Sequence, residues 1–479
     1  MKTSSAKTPP PPTPPEPAAG RRRTPLDLLM NSGLGKMLRH IGISPGQSSG
    51  GQSSGGQSSG QSLLDLAAAL LSLRGRASGP ALASAFFDLY EASDAQARGD
   101  FLGRIYDLHP ADAAAIDKAI ARWNSTPGED AARELNAASE SPSLRLVRLL
   151  NLAPQGTERL IALREDLLGA PQSSPGLAAF DRELEAAFAN WFNAGFLELR
   201  RIGWNSPAHL LERIIRYEAV HQIHGWDDLR RRIEPADRRC YGFFHPQMKD
   251  DPLIFVEVAL TEQLPSTIHG IIAEEREVIE PRDATCAIFY SINNCRAGLR
   301  GIPFGNYLIK RVVGLLREEL PHLRTFATLS PVPGLARWIA GRDENEETSP
   351  TLDARALRKL AAAYLVNAKG KGGQPIDPVA RFHLGNGARL EAIHANADLS
   401  ENGQRQAHGI MVNYVYDLGE IEANHFALHE LGTVATSKVV QALLEDAEAG
   451  GTGNAREGQT ARPGSVAADK RRKGKAIAA

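Results

Sequence analysis

The sequence has few cysteines, and this scarcity excludes several classes of protein. Its 479 residues include only Cys240, Cys286 and Cys295. Three cysteines cannot form the disulfide framework of a small secreted domain, and their spacing fits no zinc-binding pattern. A reducing, cytoplasmic setting is therefore predicted, and no metal site is expected.

Long apolar runs and a surplus of one charge are also missing. No stretch approaches the roughly 18 apolar residues of a membrane span, and the N-terminus lacks the apolar core of a signal peptide. Lys and Arg number 55 against 56 for Asp and Glu, whereas a nucleic-acid binder needs a basic surplus to neutralise phosphates. Neither a membrane nor nucleic acid is expected as a partner.

Composition divides the chain into tails and two domains, because 479 residues are too many for one ordinary domain. The repeat "GQSSGGQSSGGQSSGQS" near the N-terminus and "GGTGNAREGQTARPG" near the C-terminus contain almost nothing that a core could bury. The predicted regions are a disordered tail over 1–61, a helical domain over 62–196, a mixed domain over 197–445 and a disordered basic tail over 446–479.

Hydrophobic periodicity predicts the fold class. Apolar residues recur at helical spacing in "PALASAFFDLYEAS" and in the segment from "GLAAFDRELEAAFANWF" through "NAGFLELRRI". Later, "PLIFVEVAL" and "CAIFYSIN" are continuously apolar, as buried strands are, "TFATLSP" and "QAHGIMVNYVYDL" favour further strands, and "FGNYLIKRVVGLLREEL" favours an amphipathic helix. We predict an α+β protein, with an N-terminal all-helical bundle of structural or oligomeric role followed by an α/β domain.

A glycine-rich segment between strand and helix is the first candidate for chemistry. In "NCRAGLRGIPFGNYLIK" three glycines allow close backbone approach, Arg296 and Arg300 add positive charge, and the next helix offers free N–H groups. This suits a pyrophosphate. The segment is neither a P-loop nor the dinucleotide fingerprint, but it resembles the coenzyme A pyrophosphate loop of GNAT-type acetyltransferases. A purely structural glycine turn is the alternative.

Three polar side chains are the other candidates. Ser330 lies at a strand end before Pro331, although no G-x-S-x-G elbow surrounds it, and a lone serine there is commonly a turn or cap residue. His383, between two apolar residues in "RFHLGNG", is either a satisfied core histidine or a reactive one. Tyr414 and Tyr416 alternate on one strand, so only one face of that pair can point at a site.

Taken together, these segments resemble the malonyl-CoA decarboxylase family. The resemblance covers most of residues 200–435 in family order. It is carried by "LLERIIRYEAVHQIHGWDDLRRRI", "PLIFVEVALT", "AIFYSINNCRAGLRGIPFGNYLIKRVV", "FATLSPVPGLARWI", "DPVARFHLGNGARL" and "NYVYDL".

The resemblance implies a helical N-terminal domain, a GNAT-like catalytic domain and a homo-oligomer. It implies Ser330, His383 and Tyr416 as catalytic residues. It implies a coenzyme A loop formed by Arg300, Gly301, Ile302, Pro303, Phe304, Gly305 and Asn306. The chain departs from the family at Arg296, where Gln is frequent, and at Asn293, where Ser is frequent. It ends in "KAIAA" rather than a peroxisomal Ser-Lys-Leu, so a bacterial cytoplasmic setting is expected.

The implied reaction converts malonyl-CoA into acetyl-CoA and carbon dioxide. The thioester accepts the electron pair that decarboxylation releases, so no metal and no organic cofactor is expected. The alternatives are a coenzyme A-dependent acyltransferase on the same fold, which would need an acceptor pocket, and a non-catalytic acyl-CoA sensor. A serine hydrolase is disfavoured because no third triad member can be named.

Overall fold

A computed structural model describes most of the chain. The described residues are 55–72, 75–105, 112–170, 175–248, 250–302, 305–343 and 353–451. The predicted disordered tails lie outside these residues except where a helix enters them. Residues 55–61 are helical, and so are residues 446–451. Propensity in the Gly-Gln-Ser repeat is weak, but the helix continues into apolar residues that are buried, such as Leu63 and Leu66.

Among the described residues, eight helices form the N-terminal region. They are α1 (Gly55–Leu71), α2 (Gly75–Ala92), α3 (Ala95–Arg104), α4 (Ala113–Ser125), α5 (Glu129–Ser139), α6 (Pro142–Leu150), α7 (Gly156–Gly169) and α8 (Pro175–Trp191). Their apolar faces supply the core here. Phe86 lies against Phe101, with ring centroids 5.1 Å apart, and Tyr90 stacks on the ring of Phe86. Ser141 caps α6 and Pro142 begins it, as expected at a helix N-terminus.

The sequence prediction of one helical segment through "NAGFLELRRI" is wrong at its end. Helix α8 stops at Trp191, and Glu198–Ile202 form strand β1 instead. Asn193 and Gly195 interrupt the helix, and β1 pairs antiparallel with the next strand. Pairing between distant residues overrides the local spacing of apolar side chains.

Eight strands of the described chain form a mixed sheet. They are β1 (Glu198–Ile202), β2 (Arg238–Phe244), β3 (Pro252–Thr261), β4 (Cys286–Asn294), β5 (Thr325–Thr328), β6 (Ser330–Pro331), β7 (Arg389–His394) and β8 (Met411–Val415). The order is β1-β2-β3-β4-β5-β8-β6, with β7 also paired to β8. Strands β4 and β5 are parallel, whereas β8 runs antiparallel to β5, β6 and β7. Every residue of β2 is buried, and so is every residue of β3 except the last, as predicted for "PLIFVEVAL".

In the part of the chain that the structure describes, ten further helices accompany the sheet. They are α9 (Ala208–Tyr217), α10 (Trp226–Ile233), α11 (His269–Ile272), α12 (Gly305–Glu319), α13 (Leu335–Asp343), α14 (Ala354–Val366), α15 (Pro378–Gly385), α16 (Glu401–Ala407), α17 (Ile421–Leu431) and α18 (Lys438–Gly451). The prediction of an α+β fold, with an all-helical region preceding a sheet-containing region, is confirmed.

The chain divides into two compact units. One comprises residues up to Val258 together with Ser291–Pro321, and the other comprises Ala259–Tyr290 together with the residues from His322 onward. Each unit has its own apolar cluster. In the first it includes Leu229 and Phe255, and in the second it includes Ile288 and Leu329. This division by contacts differs from the sequence-based boundary at residue 197, which marks a change of composition and stays a prediction.

Two further observations concern the surface and the cysteines. Among the described residues, none of the helices is both long and apolar enough to cross a membrane.

Cys240, Cys286 and Cys295 are buried free thiols, and burial raises the pKa of the Cys240 and Cys295 thiols well above its ordinary value.

Candidate active site

Ser330 begins the two-residue strand β6, directly after the short strand β5. Its backbone pairs with Val412 of β8, and its side chain is buried. The hydroxyl oxygen lies 2.8 Å from the hydroxyl of Thr328, two residues earlier. Pro331 follows at the end of β6, where the absence of an N–H costs little because the strand stops there.

His383 lies in helix α15, two residues before its last residue. The helix begins with an Asp-Pro pair in which the Asp377 carboxylate accepts hydrogen bonds from the N–H groups of Val379 and Ala380. Asp is a favoured N-cap and Pro a favoured first residue of a helix. Gly387, with φ of 82°, follows the helix end. Glycine is required at this position, because a side chain would meet the backbone of Ile421. These local signals fix the position of His383.

The three side chains implied by the resemblance meet in one hydrogen-bonded array. Nε2 of His383 lies 3.2 Å from the Ser330 hydroxyl, and Nδ1 lies 2.8 Å from the Tyr416 hydroxyl. A neutral imidazole has one donor and one acceptor nitrogen, so one of the two hydroxyls donates to the ring and the other accepts from it. The array therefore provides a path of alternating donors and acceptors from Ser330 to Tyr416.

Both tyrosines face His383. The ring of Tyr414 stacks on the imidazole, with centroids 4.7 Å apart, while Tyr416 lies edge-on at 6.1 Å. Residues two apart in extended backbone point to the same side, so Tyr414 in β8 and Tyr416, one residue beyond its end, both face the histidine. The Tyr414 hydroxyl is buried, and it has no hydrogen-bond partner in the described part of the chain.

Burial determines the charge of this array. His383 is almost completely buried, and the loss of hydration lowers the pKa of its imidazole to about 3. The same effect raises the pKa of the Tyr416 phenol well above its ordinary range. All three side chains are therefore neutral near pH 7, and the imidazole is held by hydrogen bonds rather than by an ion pair.

Two supporting residues were missed by the sequence reasoning. Thr328 is fully buried, and its hydroxyl contacts the Ser330 hydroxyl while accepting the N–H of Tyr414 at 3.3 Å. Asp377 accepts the hydroxyl of Tyr364 at 3.3 Å as well as capping α15, and burial raises the pKa of its carboxyl. The Asp-Pro pair at a helix start could have indicated Asp377, and the spacing of two residues before Ser330 could have indicated Thr328.

In the glycine-rich segment 294–306, one glycine has the purely structural role that was the alternative to ligand binding. A Cβ on Gly298 would lie 2.3 Å from the backbone oxygen of Ile161 in α7, so this glycine is required by contact with the chain itself. Gly301 has φ of 87°, a conformation that favours glycine. The helix expected after the segment is α12, which begins at Gly305.

Arg296, predicted to add charge for a ligand, is already paired with carboxylates of the chain, and its role toward a ligand stays a prediction. Its guanidinium lies 2.9 Å from Glu165 of α7 and 3.2 Å from Asp251, which directly precedes β3. Both carboxylates are distant from Arg296 in the sequence, so the local pattern does not reveal them. Arg300 is exposed. Ile302 is buried, Gly305 and Asn306 begin α12, and Pro303 and Phe304 lie outside the described residues.

In the part of the chain that the structure describes, no group of three or more His, Cys, Asp or Glu side chains is placed to hold a metal ion.

Family models match most of the chain. The malonyl-CoA decarboxylase N-terminal domain matches residues 109–192, and the malonyl-CoA decarboxylase C-terminal domain matches residues 195–355 and 342–452.

Individual relatives agree with these matches. The mitochondrial malonyl-CoA decarboxylase of Anser anser anser is 36% identical over 327 residues, which are 58% of this chain and 64% of the goose protein. That of Rattus norvegicus is 33% identical over 60% of this chain and 68% of its own length. The chain thus spans about two thirds of these curated relatives. The crystal structure of malonyl-CoA decarboxylase from Agrobacterium vitis is 47% identical, covers 80% of this chain and 99% of its own, and has a TM-score of 0.75. With its matched domains in the same order along the chain, this protein belongs to the malonyl-CoA decarboxylase family.

Proposed function

We propose that this protein decarboxylates malonyl-CoA to acetyl-CoA and carbon dioxide. The observation that carries the proposal is the buried, neutral array of Ser330, His383 and Tyr416, found in a chain of this family. Such an array can donate a hydrogen bond and pass a proton without holding a charge of its own. A decarboxylation that forms an enolate requires both of these abilities.

The reaction needs three contributions from the protein. The bond between the α-carbon and the carboxylate breaks, and its electron pair becomes an enolate with charge on the thioester oxygen. The protein must hold the breaking bond perpendicular to the thioester plane, place hydrogen-bond donors at the enolate oxygen and deliver one proton to the α-carbon. The thioester itself accepts the electron pair, so the proposal includes no metal and no organic cofactor.

We assign these tasks to the residues singled out by the resemblance. The segment from Arg300 to Asn306, with the first turn of α12, binds the pyrophosphate of coenzyme A. Ser330 contacts the malonyl group, and His383 donates a hydrogen bond to the enolate or relays the proton through Ser330. Tyr416 orients the imidazole through Nδ1. A neutral imidazole suits this role, because an imidazolium would be strongly disfavoured at so buried a position.

Isotope incorporation tests the proposal directly. Purified protein is mixed with malonyl-CoA in heavy water and the products are analysed by mass spectrometry. We expect acetyl-CoA that carries one solvent deuterium, formed by wild type and by Ser143→Ala, which removes a buried serine hydroxyl from helix α6. Turnover should fall by about a hundredfold or more in Ser330→Ala and in His383→Asn. Malonyl-CoA that binds but is recovered unchanged would contradict the proposed activity.

We further propose that the protein works in the cytoplasm as a homo-oligomer. The scarcity of cysteines supports the compartment, and the family resemblance supports the assembly. In this proposal residues 62–196 are a helical, oligomerising domain and residues 197–445 are the catalytic domain. Light scattering of the purified full chain and of a variant lacking residues 62–196 tests the assembly. A monomeric wild type would contradict it.

A further inference from the structure

Arg164 of helix α7 is buried beside the segment proposed to bind coenzyme A. Only 2% of its side chain is exposed. One nitrogen, Nη1, donates to the backbone oxygens of Gly298 at 2.9 Å and Arg300 at 2.8 Å. Nε donates to the carboxylate of Asp181 in α8 at 2.7 Å. The two hydrogen bonds to backbone carbonyls go beyond the ion pair with Asp181, so Arg164 also holds the backbone of the segment.

The same turn of α7 leaves the segment little freedom. The absence of a side chain at Gly298 lets the backbone approach the oxygen of Ile161, and Glu165 contacts both the Gly298 N–H and the Arg296 guanidinium. A Cβ at Gly301 would lie 2.6 Å from the Glu185 carboxylate in α8. The helical region therefore touches the segment at several successive residues.

The hydrogen bond from Arg164 to the Arg300 carbonyl also orients the peptide between Arg300 and Gly301. This bond is trans, since the described chain has no cis peptides, so its N–H points opposite to its carbonyl. Because the Arg300 carbonyl points to the buried guanidinium, the N–H of exposed Gly301 points away from Arg164. An N–H held in this way is suited to an anionic oxygen.

We propose that Arg164 is a positioning residue for coenzyme A and acts on its pyrophosphate end by fixing the peptide between Arg300 and Gly301. The helical region then contributes to substrate binding as well as to the architecture. This inference rests on the proposed function, because it assumes that the segment receives the pyrophosphate. It makes a specific prediction: loss of Arg164 weakens only those substrates that contain the nucleotide end.

The test compares two substrates in three variants. Malonyl-CoA carries the pyrophosphate, and malonyl-pantetheine has the same reacting group without it. Arg164→Met removes the guanidinium, and Asp181→Asn weakens its orientation with less risk to folding. Arg159→Met is the matched control, because Arg159 lies in the same helix but pairs with Asp88 and Glu91 of α2.

We expect Arg164→Met to raise the KM for malonyl-CoA and the Kd for free coenzyme A, measured by calorimetry, by about tenfold or more, the scale of one charged hydrogen bond. The kcat, and the kcat/KM for malonyl-pantetheine, should change by less than about twofold. Asp181→Asn should show the same selectivity with a smaller effect. Arg159→Met should match wild type in all four constants.

Other outcomes would overturn the inference. If kcat/KM falls equally for both substrates in Asp181→Asn and Arg164→Met, Arg164 supports the fold in general and does not position the nucleotide end. An unchanged Kd for coenzyme A in a folded Arg164→Met protein has the same consequence. If wild type binds coenzyme A without turning over malonyl-CoA, the proposed function fails while the calorimetric comparison still decides the role of Arg164. If wild type does not bind coenzyme A, both fail.

Discussion

The neutral state of His383 makes the stability of this protein depend on pH in a way that one substitution can isolate. The imidazole has a pKa of about 3 in the folded chain and 6.5 when ordinarily hydrated. Because the folded pKa is depressed, the folded state takes up the proton less readily than the unfolded state. The contribution of His383 to stability is therefore intact above pH 6.5 and is lost as pH falls from 6.5 towards 3.

The magnitude follows from the size of the shift. Each pH unit below 6.5 favours the unfolded state by about 1.4 kcal/mol until the folded pKa is reached. Between about pH 7 and about pH 5 the loss in the free energy of unfolding is about 2 kcal/mol. His383→Asn has no titrating group at this position. Its free energy of unfolding should therefore fall by about 2 kcal/mol less than that of wild type over the same pH interval.

Equilibrium urea unfolding of both proteins at the two pH values measures this difference. Other titrating groups contribute equally to wild type and variant, so they cancel in the comparison. Equal losses in the two proteins would refute the reasoning, because they would mean that the imidazole is hydrated and titrates near its ordinary pKa in the folded protein.

Three further predictions follow from the geometry, two of them with a control substitution. Tyr416→Phe leaves Nδ1 of His383 without its hydroxyl, and steady-state kinetics should show a kcat lower by about tenfold with a smaller change in KM; an unchanged kcat would contradict its orienting role. Gly298→Ala should lower the free energy of unfolding by about 1–3 kcal/mol, because the new methyl meets the backbone of α7. Gly314→Ala in α12, where nothing lies within 4 Å, should be neutral or stabilising. Asp377→Ala should reduce both the melting temperature and kcat by removing the cap of α15, at about 1 kcal/mol, and Asp377→Asn should retain most of both.

Local patterns in the sequence were sufficient for much of the fold. The continuous apolar runs of β3 and β4 predicted buried strands, and the spacing of apolar residues predicted α12, since both depend on neighbouring residues alone. Strand β1 was missed because its five residues carry no strong alternation and are held by pairing with β2, some forty residues away.

The candidate site was predicted in its members but not in its contacts. The resemblance pointed to Ser330, His383 and Tyr416, and no local pattern placed one histidine nitrogen on each hydroxyl. The neutralisation of Arg296 depends on Glu165, which is distant in sequence. Long-range electrostatics of this kind cannot be obtained from the spacing of residues along the chain.

Strand β8 fixes the site by its register. One edge of it pairs with Ser330 through Val412, while the N–H of Tyr416 bonds to the backbone of Phe326. Side chains alternate along a strand, so a slip of one residue would turn Tyr414 and Tyr416 to the opposite face and remove both from His383 at once. An insertion or deletion of a single residue within Met411–Val415 would therefore disrupt the whole array, whereas a substitution of one side chain removes only one of its members.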